Sequence, residues 1–183
     1  MLKTMKLLLR LSGIIDQFSE ITGKGVSWLA FLMVILVTAD VVMRYLFHVS
    51  FVALQELEWH LFALIFLLGG AYTLKHNAHV RVDLFYQRLG KKGRAWINLA
   101  GCLIFLFPGC YLVVTTSIPF VHASFSLHEM SPDPGGLPAR YVLKMAIPAA
   151  FIMMALQGVS MLIHSLLEIA GVDQSESDSE HQE

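Results

Sequence analysis

Charged residues and cysteines are scarce in this sequence. Only 15% of the 183 residues are charged, and the formal net charge at pH 7 is -1. The two cysteines, Cys102 and Cys110, lie about 12 Å apart if one helix carries both, which is too far for a disulfide between them. A convincing cleavable signal peptide is also missing, because Arg10 interrupts the first leucine run and no small-residue cleavage site follows. We therefore expect the first apolar span to stay in the protein.

The sequence also lacks an internal repeat. Its two halves share neither charge placement nor glycine placement, which removes the usual signature of a self-contained carrier with repeated halves. No acidic pair lies at the midplane of an apolar run, and no glycine-rich stretch interrupts one. Little is therefore available with which to build an alternating-access pathway.

Apolar residues, by contrast, are abundant and lie in long runs. They make up 56% of the chain, and the mean hydropathy is +0.63. Runs long enough to cross about 30 Å of hydrocarbon occur near 26–47, 52–74, 95–120 and 140–167. We predict an all-α integral membrane protein, with four transmembrane helices in a membrane domain of residues 26–170.

The segments outside this domain differ from it in composition. Residues 1–25 are predicted to form an interfacial amphipathic helix, and Gly23 and Gly25 to turn the chain into the first span. The apolar face of this helix comprises Leu7, Leu11, Ile14, Ile15, Phe18 and Ile21. A second, shorter amphipathic helix is expected in the basic loop of residues 75–94. Residues 171–183 are polar and acidic, and we expect a disordered tail.

The basic residues predict the orientation of the spans. Four of the thirteen precede the first span and six lie between the second and third. Only Arg44, Arg140 and Lys144 fall on the other side. Both termini and the 75–94 loop should then be cytoplasmic, and the loops near 48–51 and 121–139 should face outward.

Two charged residues stand inside the first span, in "ADVVMRYLF". Asp40 and Arg44 are four positions apart, so they share a face of the helix. The next span follows after a few residues, which predicts an antiparallel hairpin and brings Glu56 and Glu58 to the level of Arg44. We expect these four residues, with Trp59 beside them, to form a charged cluster that clamps helices together. A docking surface, an ion or proton pathway and catalysis are the alternatives, in that order.

Other polar features predict contacts or turns. The prolines and glycines of "SPDPGGLP" rule out a continuous helix and predict a compact turn before the last span. The "GGA" at 69–71 predicts close helix approach, and Gln157 can hydrogen-bond across helices. Histidines near both ends, His60 and His122 against His76 or His79 and His164, make a four-helix membrane cytochrome with two haems conceivable.

The order and spacing of several motifs resemble a known family. The runs "ADVVMRYLF", "ELEW" and "FLLGGAYTLKHNAHVRVDLFY" resemble the small membrane subunit of tripartite ATP-independent periplasmic (TRAP) transporters, and "DPGGLPARYVLKMAIPAAF" resembles a branch of that family. The resemblance covers about residues 26–167. The positions that match its recurring hairpin and inner-loop patterns are Arg44, Glu56, Trp59, His79, Val80 and Asp83.

The resemblance implies a subunit of the bacterial inner membrane without catalytic chemistry or cofactor. In such systems a periplasmic substrate-binding protein delivers an organic acid, and a large permease subunit moves it with sodium. The small subunit braces the large one and contributes to the outer docking surface, to which Asp133, Gly135 and Gly136 would belong. We expect these partners and membrane lipids, and no nucleic acid. The alternatives are the cytochrome and a small homodimeric exporter, which would need an essential membrane Glu.

Overall fold

The computed structural model describes residues 2–76 and 89–171, which form a helical bundle. Its elements are α1 (Leu2–Leu46), α2 (Val52–Lys75), α3 (Lys91–Gly101), a π-helical segment (Cys102–Leu106), α4 (Phe107–Ser126) and α5 (Arg140–Ile169). Four stretches of these helices are long and apolar enough to cross a membrane: Met5–Leu46, Val52–Lys75, Lys91–Ser126 and Arg140–Ile169. The prediction of an all-α protein with four spans is confirmed.

The turn predicted at Gly23 and Gly25 is wrong, because α1 continues through both residues without a break. Gly23 instead lies directly against α2. A Cβ atom at this position would stand 2.1 Å from Cδ2 of Tyr72, so only glycine allows the two helices to approach this closely. This close packing offsets the conformational cost of a glycine within a helix.

The first half of α1 turns its polar side toward the bundle. Ser12 and Ser19 are buried, at 1% and 2% exposure, whereas Leu7 and Ile14 are 68% and 64% exposed. The polar face of this amphipathic segment therefore packs against the rest of the bundle, and its apolar face is exposed on the outside of the bundle. Contact of the bare face with the bilayer surface stays a prediction.

The third span changes helix type where proline requires it. Pro108 has no N–H to donate and its ring crowds the carbonyl of Ile104. Residues Cys102–Leu106 form a π-helical turn just before this proline, and such turns commonly absorb a local break in the α-helical hydrogen-bond ladder.

Helix α5 lies at the centre of the bundle and packs against every other helix. Small residues make this possible: Ala146, Ala150, Gly158 and Ser160 are all buried. A Cβ on Gly70 of α2 would stand 2.7 Å from Cε of Met154, so the predicted close approach at "GGA" is confirmed.

Several predicted features lie outside the described residues. They are His79, Val80 and Asp83, the amphipathic helix expected around them, and the acidic tail after Gly171.

Candidate interaction sites at the two ends of the bundle

Polar side chains gather in two layers of the bundle. The first layer, called the loop end, lies beside the connections 47–51 and 127–139. The second, called the terminal end, includes Glu20, Lys24 and Lys75. Along α1, Lys24 and Arg44 are separated by about 30 Å, which is the thickness of the hydrocarbon core.

Glu56 is the centre of the loop end, where it fixes the 127–139 loop to α2. Its Oε1 accepts hydrogen bonds from the Ser131 hydroxyl at 2.5 Å and from Nη2 of Arg140 at 2.8 Å. Its Oε2 accepts one from the backbone N–H of Leu137 at 2.6 Å. Glu56 is only 4% exposed, so these bonds replace its contact with water. One carboxylate thus fixes both the loop and the start of α5.

The loop itself is a compact turn, as the sequence predicted. The N–H of Gly136 donates to the carbonyl of Asp133 at 3.0 Å, and the N–H of Ser131 donates to that of Leu137 at 3.1 Å. Gly135 has φ +81°, which favours glycine. A Cβ on Gly136 would stand 2.4 Å from Oγ of Ser131 and 2.8 Å from Oε2 of Glu56. Gly136 therefore leaves the space that the Glu56 carboxylate occupies.

Two cations of α5 reinforce the loop end. The Arg140 guanidinium lies 5.6 Å from the centre of the Trp59 ring, and the Lys144 ammonium lies 4.1 Å from that of Phe120. Lys144 also pairs with Glu129 of the loop, and this hydrogen bond holds the pKa of the Glu129 carboxyl below its usual range. The stabilisation is present above the usual acid range and is lost as the pH falls through the lowered pKa.

The predicted four-residue charged cluster is divided in the structure. Arg44 pairs with Asp40 of its own helix, whereas Glu56 pairs with Arg140 of α5. The Asp40 side chain is 4% exposed and that of Arg44 is 48% exposed. Arg44 is thus the outward-facing member of its pair.

The remaining predicted residues of the loop end are placed differently. Glu58 has one buried carboxylate oxygen, Oε1, with no hydrogen-bond donor among the described residues. Trp59 is 42% exposed, and its ring lies 3.9 Å from that of His60. Asp133 and Gly135 are exposed on the loop surface. They are therefore available to a partner, whereas Glu56 is not.

The terminal end contains a partly buried network that the sequence did not reveal. Asp16 Oδ1 accepts hydrogen bonds from Nε2 of Gln157 at 2.7 Å and from the Ser160 hydroxyl at 2.7 Å. The Ser19 hydroxyl donates to Oε1 of Gln157 at 2.6 Å, and Nε2 of His164 lies 3.3 Å from Oδ2 of Asp16. The predicted interhelical bond of Gln157 is confirmed. Its partner Asp16 was not predicted, because in the sequence it is one of several polar residues of an amphipathic helix and nothing distinguishes it from the others.

A second carboxylate of α1, one turn further along, binds α2. Glu20 Oε2 accepts a hydrogen bond from the Lys75 ammonium at 2.7 Å and lies 3.0 Å from Nε2 of His76. Asp16 and Glu20 thus attach the first half of α1 to α5 and α2, respectively. Both ends of the bundle are fixed by buried or half-buried carboxylates.

Two comparisons with known proteins bear on this arrangement. The family model described as tripartite ATP-independent periplasmic transporters, DctQ component, matches residues 33–168. A relative from Haemophilus influenzae (strain ATCC 51907 / DSM 11121 / KW20 / Rd), named as a TRAP transporter small permease protein, is 30% identical over 107 residues. That similarity covers 58% of this chain and 64% of the relative, so the chain spans less than two thirds of the relative's length.

Proposed function

Because the chain belongs to the DctQ component family of the tripartite ATP-independent periplasmic transporters, we propose that it braces a large permease subunit during sodium-driven uptake of an organic acid. A periplasmic substrate-binding protein delivers that acid. The chain is a multi-pass inner-membrane protein of a transporter family, which implies a permease rather than an enzyme. Both termini are proposed to be cytoplasmic, so that the loop end faces the periplasm.

The observation that carries the proposed bracing role is the fixation of the helices at both ends. Glu56 ties the 127–139 loop and α5 to α2, and Asp16 ties α1 to α5. A brace needs such fixed helix contacts, whereas a moving carrier needs two arrangements of its helices. The second half of α1, with Phe31, Val34 and Tyr45 exposed, offers an apolar surface for the large subunit or for lipid.

Reconstitution of separate and combined subunits tests this function. Liposomes are prepared with this chain alone, with the large permease alone, or with both. The binding protein is added outside, and the sodium concentration is higher outside than inside. We expect accumulation of the acid only with both subunits. Accumulation by this chain alone would show that it is itself a carrier and would overturn the proposal.

The exposed Arg44 is predicted to matter for assembly. Arg44→Ala leaves the buried Asp40 carboxylate without its cation, and it removes the charge that faces outward. We expect a several-fold lower yield of the complex with the large permease, with the affinity of the surviving complexes for substrate unchanged. Co-purification measures the yield, and Lys24→Ala is the control, because its side chain is 74% exposed and lies at the other end of the bundle. An equal yield for Arg44→Ala and wild type contradicts the prediction.

The exposed loop surface is predicted to matter for coupling to the binding protein. Asp133→Lys reverses a charge on this surface without touching the hydrogen bonds of Glu56. We expect uptake to fall several-fold at low concentrations of binding protein and to recover at high concentrations, since the defect is in docking. Transport assays across a range of binding-protein concentrations measure this. Normal uptake at every concentration would remove Asp133 from the docking surface.

A further inference from the structure

A shallow groove of about 360 Å³ lies on the outer surface of α1, one helical turn from Lys24. It is lined by Ser27, Trp28 and Phe31. The two aromatic rings stand nearly perpendicular, at 88°, with their centres 6.1 Å apart, so they form two walls of the groove. Both side chains are exposed. The groove is therefore open to a molecule that lies outside the bundle.

The polar groups of these lining residues do not require a hydrogen-bond donor from an occupant. The Ser27 hydroxyl already donates to the backbone carbonyl of Gly23 at 3.1 Å. The indole N–H of Trp28 can only donate. A molecule with an apolar body and acceptor oxygens at one end would thus match the groove.

A positive charge lies beside the groove. The Lys24 side chain is 74% exposed, and its ammonium lies 3.9 Å from Oε1 of Glu20. The same carboxylate accepts a hydrogen bond from the Lys75 ammonium at 2.7 Å, so two lysines share one negative charge. Among these residues one positive charge stays unbalanced, and an anion next to Lys24 would balance it.

The groove also lies at the depth where a lipid headgroup meets the acyl chains. Lys24 marks one boundary of the hydrocarbon core, because it is about 30 Å from Arg44 along α1. Trp28 follows about 6 Å further in, and Phe31 about 4.5 Å beyond it. Tryptophan is common at this depth of a bilayer. A cation, an indole and a phenyl ring therefore follow one another from the boundary inward on one face of the helix.

We propose that this groove binds an anionic phospholipid, whose phosphate pairs with Lys24 and whose first chain carbons lie between Trp28 and Phe31. The lipid has its charge, its ester oxygens and its apolar chain in the same order as the groove has their partners. A zwitterionic lipid brings its own cation, so it gains less from Lys24. An acidic side chain of another protein would pair with Lys24, but it has no apolar chain that continues to Phe31.

This lipid site is separate from the proposed bracing role, because it requires only this chain and a bilayer. An anionic lipid held here would cover part of the apolar surface of α1 and balance the excess charge of the terminal end. Its test therefore uses the full-length chain without a large permease, and its failure would leave the proposed bracing role untouched.

Quenching of Trp28 fluorescence by brominated lipid tests the proposal. Trp59→Phe and Trp96→Phe leave Trp28 as the single tryptophan of the three, and the protein is placed in nanodiscs of phosphatidylcholine. A fraction of this lipid is then replaced by phosphatidylglycerol or phosphatidylcholine that carries bromine near the glycerol end of its chains. We expect half-maximal quenching at a roughly fivefold lower fraction of brominated phosphatidylglycerol, the factor that corresponds to one lysine near an anionic headgroup.

Equal quenching by the two brominated lipids overturns the proposal. Absence of quenching by either lipid also overturns it, because the groove would then be closed to acyl chains and filled by a protein surface such as a second copy of this chain.

Three lysine variants show whether the preference arises at this groove. Lys24→Gln should weaken quenching by phosphatidylglycerol to the level of phosphatidylcholine, whereas Lys24→Arg keeps the cation and should keep the preference. Lys92→Gln is the matched control, because it removes an exposed lysine from α3 instead, and it should also keep the preference. A preference that survives Lys24→Gln or disappears in Lys24→Arg contradicts the site. An equal loss in Lys92→Gln and Lys24→Gln would mean that anionic lipid is attracted to the basic residues in general, and would overturn the proposal.

Discussion

Replacing Glu56 by alanine is expected to release the 127–139 loop from α2. The change leaves the Ser131 hydroxyl, the Leu137 N–H and the Arg140 guanidinium without their common acceptor. Losing one hydrogen bond to a charged group corresponds to roughly a tenfold or larger change in a local opening equilibrium. Amide hydrogen exchange at Leu137 should accelerate by about that factor or more. Because the start of α5 is released as well, the yield of the proposed complex with the large permease should also fall.

Two further variants make this result specific. Glu56→Gln keeps an oxygen acceptor but loses the charge, so its exchange rate should lie between those of wild type and Glu56→Ala. Asp133→Ala changes an exposed residue of the same loop whose backbone carbonyl, not its side chain, holds the turn, and it should leave exchange at Leu137 unaltered. If Glu56→Ala exchanges as slowly as Asp133→Ala, the carboxylate does not hold the loop.

The second large effect is expected from Asp16→Ala at the terminal end. This substitution removes the hydrogen-bond acceptor of the Gln157 amide and of the Ser160 hydroxyl. Gln157 and Ser160 are 3% and 0% exposed. Each unpaired buried group costs about 1–3 kcal/mol. We expect the unfolding free energy to fall by about 2 kcal/mol or more, which lowers Tm by roughly 4–8 °C for a chain of this size. Thermal unfolding in detergent measures the change.

Ser12→Ala provides the matched control for this prediction. Ser12 is as buried as the partners of Asp16, at 1% exposure, but among the described residues its hydroxyl bonds only the Leu9 carbonyl of its own helix. Its loss should change Tm little, and hydrogen exchange should accelerate in the first half of α1 for Asp16→Ala alone. Equal melting temperatures for the two variants would mean that the Asp16 network does not attach α1 to α5.

The sequence predicted what depends on composition and on neighbouring residues. Run length predicted four spans, i,i+4 spacing predicted the Asp40–Arg44 pair, and proline with glycine predicted the turn at 131–138. Each of these features is decided within a few residues or by a single helix. Local rules therefore sufficed.

Contacts between distant segments were beyond such rules. Glu56 was expected beside Arg44, but its partners Ser131 and Arg140 lie about 80 residues further along the chain. Glu56 and Glu58 differ by two positions and so point to nearly opposite sides of α2. The sequence argument used only the height of each residue along the helix axis, and height does not show which side of the helix a residue faces. Gly23 was interpreted as part of a turn. The sequence alone does not show that the ring of Tyr72, 49 residues away, packs directly against this glycine.

The central place of α5 has a consequence for how the protein is made. This helix is synthesised after the other described helices, yet it supplies partners of both Glu56 and Asp16. Until it inserts, Glu56 and Asp16 lack the partners that it supplies, although the Asp40–Arg44 and Glu20–Lys75 pairs of the first two spans can already form. A chain that stops before residue 140 would therefore lack the contacts that Arg140 and Gln157 make with these two carboxylates.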